Sequence, residues 1–165
     1  MARWKPPQPK ASPHITPAGY RALEDELQAL WLRRAEVVKA MAAAAAEGDR
    51  SENAEYLYRK KELAGLDRRI RYLQKRLPDL KVVRRAPIGD RAFFGAWVRL
   101  KRDDGSEVEY RIVGTDETEV AKGYISIDSP LARALLKKAV GDEIEWSLKG
   151  GSARLVVTGI RYQCD

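Results

Sequence analysis

The chain has 165 residues, 44% hydrophobic and 33% charged, with a formal net charge of +7 and a pI near 9.6. That length allows one ordinary domain or two small ones. The basic balance points to an acidic partner, nucleic acid or a negatively lined channel, with a merely solubilising surface excess as the alternative. The lone Cys164 excludes an internal disulfide, and with His14 as the one histidine there is neither a Cys/His zinc cluster nor a Ser-His-Asp set.

No apolar run approaches a membrane span and no signal-peptide core follows Met1, so a cytoplasmic protein without membrane contact is expected. Residues 1–15 carry Pro6, Pro7, Pro9 and Pro13 among Arg3, Lys5 and Lys10. Proline at that density suits neither a helix nor a sheet ladder, which predicts an extended, mobile basic tail. Trp4 and His14 lie in it, either marking a contact or uncommitted.

Thr16-Pro17 predicts a helix start, Thr16 as N-cap and Pro17 at the first helical position. Tyr20, Leu23, Leu27, Leu30, Val37 and Met41 then recur at threes, fours or their sums, with Arg34 in the one polar seam position. Tyr56, Leu63, Leu66, Ile70, Leu73 and Leu77 repeat the pattern downstream, until Pro78. Such a repeat is the seam of a coiled coil. A break of a few residues between two such helices forces them back antiparallel. Gly48 supplies the stop and Asp49 the restart. Residues 16–78 are therefore expected to form a helical hairpin with an acidic tip at 47–53. Its arms would reach roughly 45 Å. Ala42 to Ala46, just behind the tip, are strong helix formers that also keep it slender.

Between Tyr56 and Leu77 stand eight basic residues, Arg59, Lys60, Lys61, Arg68, Arg69, Arg71, Lys75 and Arg76, against Glu62 and Asp67. Lys61, Arg68 and Lys75 fall one heptad apart, opposite the seam. Like charges in a row repel, so the face is either a contact for nucleic acid or an acidic channel, or plain solvated surface.

Past Pro78 the period changes to that of strands. Phe93–Leu100 and Glu107–Val113 flank the turn signal Arg102-Asp103-Asp104-Gly105, and Tyr124–Ile127 makes a third strand. Ser129-Pro130 opens a helix to about Lys138, and Glu143–Leu148 and Arg154–Tyr162 are two more strands. The fold class is α+β: a helical hairpin, then over 79–165 a small, mostly antiparallel sheet domain with one helix.

Asp49 and Glu52 share one face of the first turn of the return helix. They make either a variant capping box or a carboxylate pair able to hold part of a Mg²⁺ shell completed by another molecule. The two roles are compatible, since a capping carboxylate keeps a spare oxygen. Gly48, Gly65, Gly89 and Gly95 form no phosphate loop, and an autonomous enzyme is not expected.

The run Gly48-Asp49-Arg50-Ser51-Glu52-Asn53-Ala54-Glu55-Tyr56 resembles the tip signature of the bacterial transcript cleavage factors, the GreA/GreB family. Asp67–Leu73, Phe93–Val98 and Tyr124–Leu136 match it as well, over roughly residues 14–162, and the Arg50-Ser51 pair is more like the GreB branch. The resemblance implies an FKBP-like globular domain and a monomer that binds RNA polymerase and passes its hairpin through the secondary channel. Asp49 and Glu52 would there help hold a second Mg²⁺ while the polymerase hydrolyses backtracked RNA near its 3′ end. Arg59, Lys60, Lys61, Arg68, Arg71 and Lys75 would lie against RNA or the channel, and Asp128, Ser129, Pro130, Leu131 and Ala132 would dock on the polymerase. The same architecture could instead block the channel as an anti-cleavage inhibitor, or, on fold alone, act as a peptidyl-prolyl isomerase.

Overall fold

The computed structural model describes residues 11–46, 54–84, 87, 89–148 and 151–163. The chain divides into two compact units, residues 20–80 and the remainder.

The first unit holds most of α1 (Pro17–Ala46) and all of α2 (Ala54–Arg76), followed by a 3₁₀ turn at Leu77–Asp79 that Pro78 helps impose. Leu23, Val37, Ala44, Ile70 and Leu73 are buried, and the other expected seam residues are half-buried. Two helices alone leave much of their seam half-buried. Ion pairs between them fix the antiparallel sense. Glu26, early in α1, takes both Nε (2.6 Å) and Nη2 (2.8 Å) of Arg69, while Arg33, further along, reaches Glu62 at 2.7 Å. The polar seam residue Arg34 donates from Nε to Asp67 at 2.7 Å.

The second unit is built on a five-stranded sheet in the order β5-β4-β3-β7-β6. Its strands are β3 (Ala96–Arg102), β4 (Glu107–Val113), β5 (Tyr124–Ser126), β6 (Glu143–Leu148) and β7 (Gly151–Tyr162). All neighbours are antiparallel except β4 and β5. Alternation decides the faces: Ala96, Val98 and Leu100 of β3 point into the core, where Ala132 and Leu135 of α3 (Pro130–Leu135) meet them. On the opposite face Arg161, Trp97, Arg111 and Tyr124 stand in register across four strands. Arg111 is buried there, its guanidinium 5.9 Å from the Trp97 ring and 5.6 Å from Tyr124.

Two expectations change. The tail predicted over residues 1–15 does not extend to Ile15. β1 (His14–Ile15) pairs in parallel with β2 (Lys81–Val82), Ile15 is fully buried, and His14 lies 2.9 Å from Ser12 Oγ through Nδ1. Residues 1–10 lie outside the described part. Helix α3 also ends at Leu135, short of Lys138. Ala92 captures the following backbone: its O accepts from Lys137 N (2.7 Å), its N donates to Lys138 O (2.8 Å), and Lys137 is drawn to φ +68°. Pairing to a distant segment outweighs helix propensity there.

Thr16 is the N-cap expected from the sequence, accepting from Gly19 N at 3.0 Å. Glu117 locks it in place. Its carboxylate accepts from Thr16 N (3.0 Å), Thr16 Oγ1 (2.6 Å) and Gly114 N (2.8 Å). A Cβ on Gly114 would run into the backbone O of His14, so that glycine is required by space; one on Gly19 would meet the carboxylate end of the Glu117 side chain, which can move only by giving up its hydrogen bonds.

Candidate functional site

The acidic tip, with Asp49, Glu52 and the proposed Gly48 stop, lies outside the described residues, which resume at Ala54. Around it the surroundings are defined. Arg59 donates from Nε to Glu55 (2.7 Å) and from Nη1 to Glu62 (3.1 Å), and Glu62 also takes Arg33. Hydrogen bonding from Arg33, then from Arg59, holds the Glu62 carboxyl below its ordinary range against an opposing contribution from burial. Bonds from Glu55 and Glu62 raise Arg59. The described acids nearest the tip are therefore committed to arginines, and no group of three or more His, Cys, Asp or Glu among the described residues could hold a metal ion. By their chemistry Asp49 and Glu52 would offer two carboxylate groups, hard oxygen donors. Two carboxylates would fit a Mg²⁺ shared with another molecule's ligands and would not make a self-sufficient cage.

The basic arm sorts into two groups. Lys60, Lys61, Arg68, Arg71 and Lys75 are exposed, and Lys60, Lys61, Arg68 and Lys75 form no ion pair with any described residue. Among the described residues Arg71 bonds the Asp67 carbonyl alone, at 3.2 Å. Arg59 differs from the expectation: it is half-buried and doubly paired. At 100° per residue it turns toward the other helix, whereas Lys61, Arg68 and Lys75 point away. Glu62 and Asp67 are both taken by arginines of α1, so neither of these acids neutralises the outward cations. Tyr58 and Tyr72 stand on the same outward face, 60% and 46% exposed. Charge and seam patterns overlook them; the signal for them is their separation by two heptads.

Of the expected docking segment, Ser129 caps α3 by accepting from Ala132 N at 3.1 Å, and Pro130 is exposed at the first helical position. Asp128 is anchored: one carboxylate oxygen accepts from Ser12 N (2.7 Å) and Thr115 Oγ1 (2.9 Å). Leu131 is half-buried. Ala132 is fully buried in the core and leaves the docking set, because the i, i+3 spacing with Leu135 turns it inward. Beneath this segment Tyr110, Leu131, Trp146 and Leu155 help line a hollow of about 100 Å³. Small-molecule sites are usually ~300–1,000 Å³, so it is a poor seat for a prolyl peptide.

No helix among the described residues is long and apolar enough to cross a membrane. Against known proteins, the family model "Transcription elongation factor, N-terminal" matches residues 14–82, and "Transcription elongation factor, GreA/GreB, C-term" matches residues 87–162. The chain is 57% identical over 165 residues to transcription elongation factor GreB of Xanthomonas axonopodis pv. citri, covering 98% of each chain. It is 48% identical over 164 residues to the GreB of Pseudomonas aeruginosa, again covering 98% of each. A solved structure described as prokaryotic transcription elongation factor GreA/GreB from Nitrosomonas europaea is 24% identical, covering 92% of this chain and 100% of that one, with a TM-score of 0.43. Two consecutive family models spanning nearly the whole chain, with relatives at about half identity throughout, make it a member of the GreA/GreB family of transcription elongation factors.

Proposed function

We propose that this protein is a GreB-type elongation factor that enters the secondary channel of RNA polymerase with its helical hairpin and stimulates hydrolysis of backtracked nascent RNA. The observation that carries this is the 57% and 48% identity, over 98% of this chain, with two proteins named GreB. The factor is not itself the nuclease. It acts as a monomer, in the cytoplasm where the polymerase works.

Each part of the chain has a share in that task. Ala42 to Ala46 keep the arm thin behind the tip, and the ion pairs between α1 and α2 set their register. Asp49 and Glu52 would place carboxylate oxygens beside a Mg²⁺ that the polymerase also ligates. Such an ion, when bound, activates a water and neutralises charge on the scissile phosphate. Lys60, Lys61, Arg68, Arg71 and Lys75 would hold the RNA backbone without regard to sequence, with a salt-sensitive affinity. Ser129, Pro130 and Leu131 would contact the polymerase, with Asp128 holding their loop.

A halted complex of purified polymerase with labelled RNA, Mg²⁺ and this protein is the test. The wild-type chain should shorten the RNA and restore elongation. Asp49→Asn with Glu52→Gln should abolish cleavage while polymerase binding persists, because amides cap a helix nearly as well as acids but ligate Mg²⁺ poorly. Undiminished cleavage by the folded double variant would remove the metal role. Inhibition by the wild type without cleavage would make the protein a channel blocker instead.

A further inference from the structure

We propose that the outward face of α2 is a stacking track for single-stranded RNA, in which Tyr58 and Tyr72 receive bases while Lys61, Arg68 and Lys75 hold phosphates. This deepens, and rests on, the phosphate contact proposed for the basic arm.

The five residues follow one another at steps of three, seven, four and three, which keeps them on one strip of the helix surface, opposite the buried Ile70 and Leu73. Each ring has a cation three residues further on, close enough to be its surface neighbour. The rings lie about 21 Å apart, with the cations at steps of about 10 Å between and beyond them. Gly65 occupies the midpoint of the strip and leaves it open: a Cβ there would meet nothing nearer than Arg68 Nη2 at 3.9 Å.

Both tyrosines are also held in the same manner. The guanidinium of Arg59 lies 5.5 Å from the Tyr58 ring and that of Arg69 lies 5.2 Å from Tyr72. Each arginine is itself tied down, Arg59 by Glu55 and Glu62, Arg69 by Glu26. A ring leaning on a fixed guanidinium loses little further freedom when something stacks on it. Two exposed rings with the same Arg–carboxylate support, on the same strip, are more than chance exposure of apolar surface.

The chemistry of the strip selects the occupant. The core of a protein–protein interface gathers aromatics but depletes lysine. Aromatic rings interspersed with cations that form no ion pair with any described residue instead match a polyanion that presents flat π faces, a single strand of nucleic acid. A duplex keeps its base faces stacked on one another and cannot use the rings.

The test compares binding of the full chain to a labelled oligouridylate and to an abasic strand with the same number of phosphates. Tyr58→Ala with Tyr72→Ala should weaken oligouridylate binding about tenfold or more while leaving the abasic strand and the salt dependence unchanged. Tyr58→Phe with Tyr72→Phe should behave as wild type, because a phenyl ring stacks as well. Lys61→Ala with Arg68→Ala should weaken both strands alike and reduce the salt slope by about 1.4. Equal losses on both strands for the tyrosine-to-alanine variant, or none, would overturn the stacking track and leave the phosphate contact standing. If the wild-type chain binds neither strand, the phosphate contact fails and the track with it. Loss of polymerase binding with RNA binding intact would assign the face to a protein surface and overturn the track.

Discussion

Gly19→Ala should destabilise the protein, yet stabilise it once Glu117 is gone. Gly19 is the third helical residue of α1, where alanine ordinarily gains about 1 kcal/mol over glycine. The new methyl, however, would stand 2.0 Å from Glu117 Oε2 and 2.8 Å from its carboxyl carbon. Both are at the flexible end of a side chain, so the clash is relieved by swinging the carboxylate away. The cost is then bounded by what the carboxylate contributes. It accepts three hydrogen bonds, two of them from backbone N–H groups of the buried Thr16 and Gly114. Leaving such donors unpaired costs ~1–3 kcal/mol each. Allowing for imperfect additivity, Glu117→Ala should cost about 3 kcal/mol. Gly19→Ala in the native background should therefore cost about 2 kcal/mol net of its helix gain. With Glu117→Ala in place it should stabilise by up to about 1 kcal/mol, a coupling of about 3 kcal/mol. Urea unfolding of the four proteins in this cycle, followed by tryptophan fluorescence, measures the coupling. Additive effects would refute the clamp, as would a Gly19→Ala cost exceeding that of Glu117→Ala.

Two further outcomes concern the hairpin. The Glu62 carboxyl is held below its ordinary value of 4.5, so the stabilisation from its pairs with Arg33 and Arg59 is complete above that value and lost as the pH falls through the lower, folded-state value. Acid titration followed by circular dichroism at 222 nm should show a shallower loss of helix in Glu62→Gln than in wild type; superimposable curves would mean that solvent screens the cluster to nothing. Gly65→Ala should stabilise the helical unit by about 0.5–1 kcal/mol, since the position is helical and a Cβ has room there. A urea midpoint that falls would show that glycine is needed at Gly65 for its backbone.

Much of the architecture is written locally. The seam at threes and fours predicts both helices, because residues that close in sequence share a face whatever the rest of the chain does. Thr16-Pro17 and Ser129-Pro130 announce helix starts since capping needs only neighbouring backbone N–H groups, and both caps form as expected. The turn at Arg102–Gly105 and the alternation of Ala96, Val98 and Leu100 likewise locate the central hairpin of the sheet. The exposed charge of Lys61, Arg68 and Lys75 is also legible as a face.

Where segments distant in sequence meet, those local patterns say nothing. Ile15 joins a strand only because Val82, across the whole helical hairpin, comes back beside it, and the Glu117 clamp joins residues 101 apart. Helix α3 stops at Leu135 because Ala92 claims the next backbone groups, and that same packing places Ala132 in the core instead of on a docking surface. Arg59 looks like one more free cation until the facing helix shows that Glu62 bridges it to Arg33. Periodicity constrains a residue's direction about its own axis; which group awaits it there is set by chain closure, through hydrogen bonds and charges whose partners acquire their positions only when the fold is complete.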